Sequence, residues 1–333
     1  MRFPLGLTAS LATYIVRKRM SRERFVPLVL MLEPLFACNL NCSTCGRIRE
    51  YQDCMSEMMT VDECLEASAE CGAPIVSICG GEPLIYPHIA ELVERLIANK
   101  KYVYLCTNGV LLAAAVDKLK PSKRLILNVH IDGPPEVHDK IVEKNGAHEA
   151  ATKGMMLAAR AGFQITVNTT ICKQTNMSQI DAQMDKLSQI GVGSFMLSPA
   201  YSYESVEEKD CFMSRADVYE KFKNIDAMAK RHRLCDTPIY LDYLKGQREL
   251  ECTAWGNPTR NVVGWRSPCY LIADKHVATY KELIESTDWE SYGVGRDRRC
   301  RDCMVHCGFE PTAALMVNKQ KGDLWRMIRW QLG

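Results

Sequence analysis

Residues 37–46 read ACNLNCSTCG, placing Cys38, Cys42 and Cys45 in the spacing C-x3-C-x2-C. The apolar run just ahead, Phe25–Leu32 (FVPLVLML), reads as a buried strand that Pro27 confines to a start or edge position. Three thiols on a loop at the carboxyl end of a strand can grip one metal centre from one side. A structural zinc wants four ligands, and no fourth lies close by in sequence, so a zinc loop would need a distant residue to complete it. A [4Fe–4S] cluster has four irons, and three cysteines leave one of them open.

Downstream the chain alternates apolar runs with helical patterns. Helix Thr60–Cys71 starts on an N-cap Thr60 with Glu63 closing a capping box, and Gly72 stops it. Strand Ile75–Cys79, helix His88–Lys100, strand Tyr102–Cys106 and a helical stretch Leu111–Lys120 follow. Then come strand Arg124–Ile131, helix Ala147–Ala161, strand Gln164–Ile171, helix Met177–Ile190, strand Ser194–Ser198 and a helix over Arg215–His232. Six strand–helix units predict an α/β fold with a parallel sheet. They are too few for a full eight-unit barrel, so a partial (β/α)6 barrel over residues 25–235 is expected, with its chemistry at the carboxyl ends of the strands. Residues 236–333 break the alternation and read as a small irregular Cys-rich C-terminal region.

The composition is that of an ordinary globular chain. There are 333 residues with 42 basic and 40 acidic side chains, a net charge of +2, and 47% hydrophobic residues. This excludes a disordered chain and gives no global case for nucleic acid. No apolar run approaches the ~18 residues of a membrane-spanning helix. The outlier is cysteine, at sixteen residues. The first basic cluster follows the N-terminal apolar stretch, where a secretory signal would have it in front, so a reducing cytoplasm is expected. There, surplus thiols mean metal or redox chemistry, or small buried hydrophobes.

Further polar residues fall on successive strand ends. Gly80-Gly81-Glu82-Pro83 closes the second strand, and adjacent glycines there let a ligand approach the backbone. Asn128, His130 and Asp132 share one face of the fourth strand, Asn168 and Thr170 end the fifth, and Ser198 ends the sixth. Each alone could be a satisfied polar residue; together they suit a polar ligand in the mouth. A second group, Cys300-x2-Cys303-x3-Cys307 with Cys269 upstream, supplies four thiols, the complement of a second Fe–S cluster or of a zinc site in which His306 could replace one. Packed, reduced thiols are the alternative.

On the three-cysteine spacing and the GGEP one βα unit later, the chain resembles the radical S-adenosylmethionine enzymes, whose fold is a partial (β/α)6 radical SAM barrel. The resemblance implies a [4Fe–4S] cluster on Cys38, Cys42 and Cys45, with the open iron binding S-adenosylmethionine. Reductive cleavage would then give a 5′-deoxyadenosyl radical. It also implies that Gly80, Gly81 and Glu82 meet the methionine amino group, and that the polar strand ends bind the rest of the cofactor. A one-electron reductant such as flavodoxin or ferredoxin is the implied partner. Where this superfamily often has an aromatic residue before the third cysteine, this chain has Thr44.

The stretches MRFPLGLTASL, LEPLFACNLNCSTCGRIREY, SICGGEPLIYP, YLCTNG and RCRDCMVHCGFEPTA resemble the adenosyl hopane synthases within that superfamily. That implies addition of the radical to the alkene of diploptene, a bilayer-dissolved hydrocarbon, with S-adenosylmethionine consumed. A radical enzyme modifying a peptide is the nearest rival, and a zinc-binding adaptor the remote one. The product radical needs a hydrogen donor, and Cys106, on the face of Tyr102 and Tyr104 before a TNG turn, is the expected one; a buried structural thiol is its plain alternative. Residues 1–24 carry Arg2, Arg17, Lys18, Arg19, Arg22 and Arg24 against one acid, Glu23, with a helical stripe of Leu7, Leu11, Tyr14 and Ile15. The C-terminal GDLWRMIRW sets Leu324, Trp325, Ile328 and Trp330 beside Arg326 and Arg329. Both fit helices resting peripherally on the inner face of the cytoplasmic membrane, or two terminal helices docked on the barrel.

Overall fold

The strands form where β-branched and leucine-rich runs can be buried on both faces. In the computed structural model, which describes residues 2–207, 209–315 and 319–333, they are β1 Val29–Glu33, β2 Ile75–Ile78, β3 Tyr102–Thr107, β4 Leu125–His130, β5 Gln164–Ile171 and β6 Ser194–Pro199. They pair in parallel in the order β6-β5-β4-β3-β2-β1. Alternate residues, among them Leu30, Val76, Leu105, Leu127, Val167 and Leu197, bury fully against the surrounding helices. The other set faces inward, and the register lines Cys106, Asn128, Thr166 and Ser194 into one row across β3 to β6. The predicted capping box at Thr60 and the left-handed Gly72 stop are both present.

Several predicted boundaries move. The first strand covers only Val29–Glu33. The stretch Leu111–Lys120 is a single turn, Leu112–Ala115, followed by a 3-10 turn. The helix expected over Arg215–His232 is two, Arg215–Phe222 and Ile225–Arg231. The irregular C-terminal region also contributes to the sheet. β7 Thr259–Asn261 adds in parallel to the free edge of β1, and β8 Trp265–Pro268 and β9 Ala273–Val277 continue antiparallel. At three to five residues each, these strands are too short to show a period of two.

The terminal segments close the opposite pole. Helix Leu5–Met20 packs Leu7, with Phe3, on Ile75, Tyr102, Val29 and Tyr104, the amino ends of three strands. Arg2 donates to the carbonyls of Ala229, His232, Leu234 and Trp330. Phe3 exchanges two hydrogen bonds with the Gln331 amide and stacks edge-on against Trp330 of helix Asp323–Leu332. The stripe Leu7, Leu11, Tyr14 and Ile15 is therefore the body-facing side of its helix, from half to fully buried, and not the side offered to a membrane. Trp330 is docked likewise. Among the described residues no helix is long and apolar enough to cross a membrane.

Candidate active site at the carboxyl ends of the strands

The three-cysteine loop leaves β1 through Leu35 and Phe36, both fully buried. Arg49 ties the loop together from within, donating to the carbonyls of Cys42 (3.0 Å) and Cys45 (2.7 Å). The Ser43 N–H donates to Ile141 O at 3.1 Å. Cys38, Cys42 and Cys45 are all half-exposed. Burial pushes the Cys38 thiol up to about 11 and raises Cys42 as well, with Cys45 adding to both. Thiols that oppose one another's ionisation need a compensating cation to become thiolates, which is the donor chemistry an iron cluster requires.

The close approach that Gly80 and Gly81 permit is taken by this chain's own backbone. A Cβ on Gly81 would lie 2.1 Å from Ala37 O and one on Gly80 2.4 Å from Leu35 O. The space is filled by this chain's own backbone, which accepts from Gly81 N–H (3.0 Å) and Glu82 N–H (2.9 Å). GGEP thus fixes the approach to Cys38. Glu82, buried at the core of this turn, accepts from Thr107 Oγ1 (2.7 Å), Asn108 N–H (2.8 Å) and Leu84 N–H (2.9 Å), so its carboxylate locks β2 to the β3 turn.

On β4 the His130 ring meets Asp132 Oδ2 at 2.7 Å, and Asp132 Oδ1 accepts from Thr170 N–H at 2.8 Å. Burial opposes charge on both, yet their mutual attraction prevails: His130 is raised above its usual value and Asp132 held below its own. A carboxylate-anchored imidazole, about a third exposed, is thereby presented at the mouth. Two buried amide oxygens, Asn128 Oδ1 and Asn168 Oδ1, have no hydrogen-bond donor among the described residues. Buried acceptors left in that state are rare, and a ligand rich in N–H and O–H donors would satisfy them. The thiol set and these orphaned oxygens together fit a [4Fe–4S] cluster with S-adenosylmethionine. Ser198 stands apart: buried, it faces the N–H of His306 at 3.5 Å.

Cys106 lies in the inner row, its sulfur 3.2 Å from Ser77 Oγ and 3.5 Å from Asn128 Nδ2. Burial raises its pKa despite those two contacts, which keeps it a thiol. Of the other thiols near strand ends, Cys79 is turned to the Ser77 carbonyl and Cys172 pairs with Cys211.

Cys269, Cys300, Cys303 and Cys307 do line one pocket, and a fifth cysteine, Cys252, joins them there. The Thr253 N–H bond to Gly308 O (2.9 Å) holds Cys252 beside Cys307. The backbone N–H groups of Leu271 and Ile272 point at Cys269 sulfur, and those of Gly293 and Val305 at Cys300 and Cys303. Such donors stabilise metal-bound thiolates. Among the described residues no three His, Cys, Asp or Glu side chains are grouped as for a single metal ion. His306 is not part of the pocket lining. Cys252 could have been noticed only as one more cysteine in ECTAWG, since its partners lie 17 and more residues away.

The sequence also gave no sign of the chain of buried charges between the two cysteine groups. Glu33, fully buried, pairs with Arg47 at 2.6 Å; Arg47 pairs with Glu50 at 3.0 Å, and Glu50 with Arg266 at 3.0 Å. Arg47 follows Cys45 closely and lies over the Tyr270 ring, next to Cys269, at 4.2 Å. Tyr203 presses against Gly46, and its ring meets Tyr201, a wall of the five-cysteine pocket, edge-on at 5.0 Å.

Residues 32–187 match the family model described as the Radical SAM superfamily, and residues 195–327 a domain of unknown function (DUF3463). The chain is similar to a probable GTP 3′,8-cyclase of Methanococcus maripaludis strain C6, at 30% identity over 277 residues, covering 77% of this chain and 89% of that protein. It is similar to an AdoMet-dependent heme synthase of Methanosarcina barkeri, at 31% identity over 174 residues, 51% of this chain and 49% of that protein. The chain thus spans about half the length of that second relative. Among solved structures, Streptococcus suis SuiB bound to the precursor peptide SuiA superimposes with a TM-score of 0.68 at 16% identity, covering 94% of this chain and 77% of that one. None of these three bears a hopanoid name, so the finer resemblance drawn from the sequence rests on its motifs.

Proposed function

The chain belongs to the radical S-adenosylmethionine superfamily, and from that premise we propose that it joins a 5′-deoxyadenosyl group to the alkene of a hydrophobic substrate, diploptene, giving adenosylhopane. Enzymes of this superfamily hold a [4Fe–4S] cluster whose open iron binds S-adenosylmethionine, and when bound this pair supplies the 5′-deoxyadenosyl radical on receipt of one electron. Cys38, Cys42 and Cys45 are the cluster ligands in this reading, and Asn128, Asn168 and the His130–Asp132 pair receive the polar parts of S-adenosylmethionine.

The observation that carries the reading is Cys106. Radical addition to a terminal alkene leaves a carbon radical on the substrate, and that radical must gain a hydrogen atom to give a saturated product. A thiol kept protonated by burial and steadied by Ser77 and Asn128 is a suitable source. The transfer breaks the Cys106 S–H bond, forms a C–H bond and leaves a thiyl radical. One electron from a reductant of the flavodoxin or ferredoxin class, with a proton, restores the thiol. The motifs quoted above support the alkene substrate, and a bilayer-dissolved substrate calls for a membrane-facing surface.

A second reading, modification of a peptide with help from an auxiliary cluster, is favoured by the five-cysteine pocket, since such a centre can accept an electron from a substrate radical. Anaerobic incubation with S-adenosylmethionine, reductant and detergent-dispersed diploptene separates the two by mass spectrometry. The alkene reading expects an adduct carrying the adenosyl group plus one hydrogen. Release of free 5′-deoxyadenosine with no adduct would sink it. Cys106→Ser should still cleave S-adenosylmethionine while saturated adduct falls at least about tenfold; undiminished adduct would remove Cys106 from the role.

A further inference from the structure

A helix docked on a protein body ordinarily turns its polar side to water. Helix Leu5–Met20 does not. Opposite the buried Leu7, its exposed side carries Leu5, Ala9, Ala12, Val16 and Met20, spaced by three or four residues and so stacked in one stripe. Met20 is 80% exposed. Helix Asp323–Leu332 repeats the pattern, with Leu324, Trp325, Ile328 and Leu332 outward and Trp325 74% exposed. Of the eleven large hydrophobic side chains exposed among the described residues, seven lie on these two helices, so the patch is local and not general surface. The bonds between Arg2 and Phe3 on one side and Trp330 and Gln331 on the other tie the start of the first helix to the end of the second.

Charge identifies the occupant. Arg17, Arg22, Lys319, Lys321 and Arg329 flank the stripes, and none has a carboxylate partner among the described residues. The two acids on these segments are spent elsewhere, Glu23 on Lys18 (2.5 Å) and Asp323 on Arg248 (2.7 Å). A second copy of the chain would set these cations against their own kind. An anionic bilayer offers both counter-charge and apolar depth.

We propose that the outward stripes of helices Leu5–Met20 and Asp323–Leu332, with their flanking cations, dock on the interface of an anionic lipid bilayer. The inference goes beyond the reading of the active site, which would survive its failure, because the detergent assay needs no vesicle.

The test is co-sedimentation of the full chain with vesicles of phosphatidylglycerol and phosphatidylcholine, or of phosphatidylcholine alone. The protein should pellet with the first, weakly with the second, and less as salt rises. The double variant Val16→Glu/Trp325→Glu should lose about tenfold or more in vesicle affinity with its melting temperature unchanged, since both side chains are exposed. Leu157→Glu, an exposed apolar residue elsewhere, should bind as the parent does. Equal binding to both vesicles, binding to neither, or undiminished binding by the double variant overturns the proposal. So does a dimer that the double variant dissolves.

Discussion

The two cysteine groups flank the Tyr201–Tyr203 pair and are assembled in opposite ways. The first takes three thiols from one loop, half-exposed at the strand ends, with Arg49 and the GGEP turn holding the backbone. The second gathers five thiols from three stretches of chain around 252, 269 and 300–307, and packs them against Tyr201 and Leu271. A centre that must keep one coordination position open gains from few ligands on a loop at the mouth. A centre with every position filled can be stitched from distant segments and sealed. The substrate-binding centre and a closed auxiliary centre have these two demands.

The sharpest way to break this contrast is to remove one ligand from each group. Cys42→Ala should abolish S-adenosylmethionine cleavage, a loss beyond about a thousandfold, with roughly four irons lost per chain and the second centre retained. Cys252→Ala should lower iron or shift the absorption and electron paramagnetic resonance of the second centre while cleavage persists. If Cys252→Ala leaves iron and spectra untouched, the fifth thiol is a packing residue and the second group has four ligands at most.

The buried chain Glu33–Arg47–Glu50–Arg266 tests whether the groups are mechanically joined. Arg47→Met removes one charge from it and strands Glu33, which is fully buried, and breaking such a pair costs about 3–5 kcal/mol. The urea midpoint should fall accordingly, and adding Glu33→Gln should restore part of it, because the neutral amide no longer needs a counter-charge. No recovery in the double variant would mean that Arg47 acts by packing on Tyr270 instead.

The same contrast explains what the sequence made legible. The first centre is local: three cysteines in one loop, a capping box at Thr60 and Glu63, and strand–helix alternation all act over a few residues. Cys252 meets its partners 17 to 55 residues on, and the Glu50–Arg266 pair and the addition of β7 to β1 join positions more than two hundred residues apart, where spacing carries no signal. Gly80 and Gly81 were noticed for the right property, a close approach, but only the fold shows that the approaching group is the Leu35–Ala37 backbone. The stripe Leu7, Leu11, Tyr14 and Ile15 fits either a membrane or the body in sequence, because the helix is apolar on two sides and periodicity cannot say which side the body covers; the fold packs that stripe on the body.

The last and smallest effect concerns acidification behind the first loop. His138, on helix Pro135–Ile141, accepts from the Asp132 N–H at 3.2 Å, and the same helix ends in the carbonyl that receives Ser43. Burial pushes His138 down to about 4; Asp132 and Asp139 oppose that shift, while His130 and His148 add to it. A histidine whose folded value lies below its unfolded value favours the neutral form in the fold. Its stabilisation is therefore whole above pH ~6.5 and drains as the pH falls toward 4, by about 2 kcal/mol between pH 7 and 5. His138→Gln, whose amide oxygen can still accept from Asp132, should flatten that part of the stability profile. Hydrogen exchange adds the regional test: at pH 5 the Ser43 amide beside the first group should exchange faster, while Thr253, bonded to Gly308 beside the second, keeps its protection. Equal loosening at both amides would mean that acid opens the molecule as a whole and that the two cysteine groups do not differ in this respect.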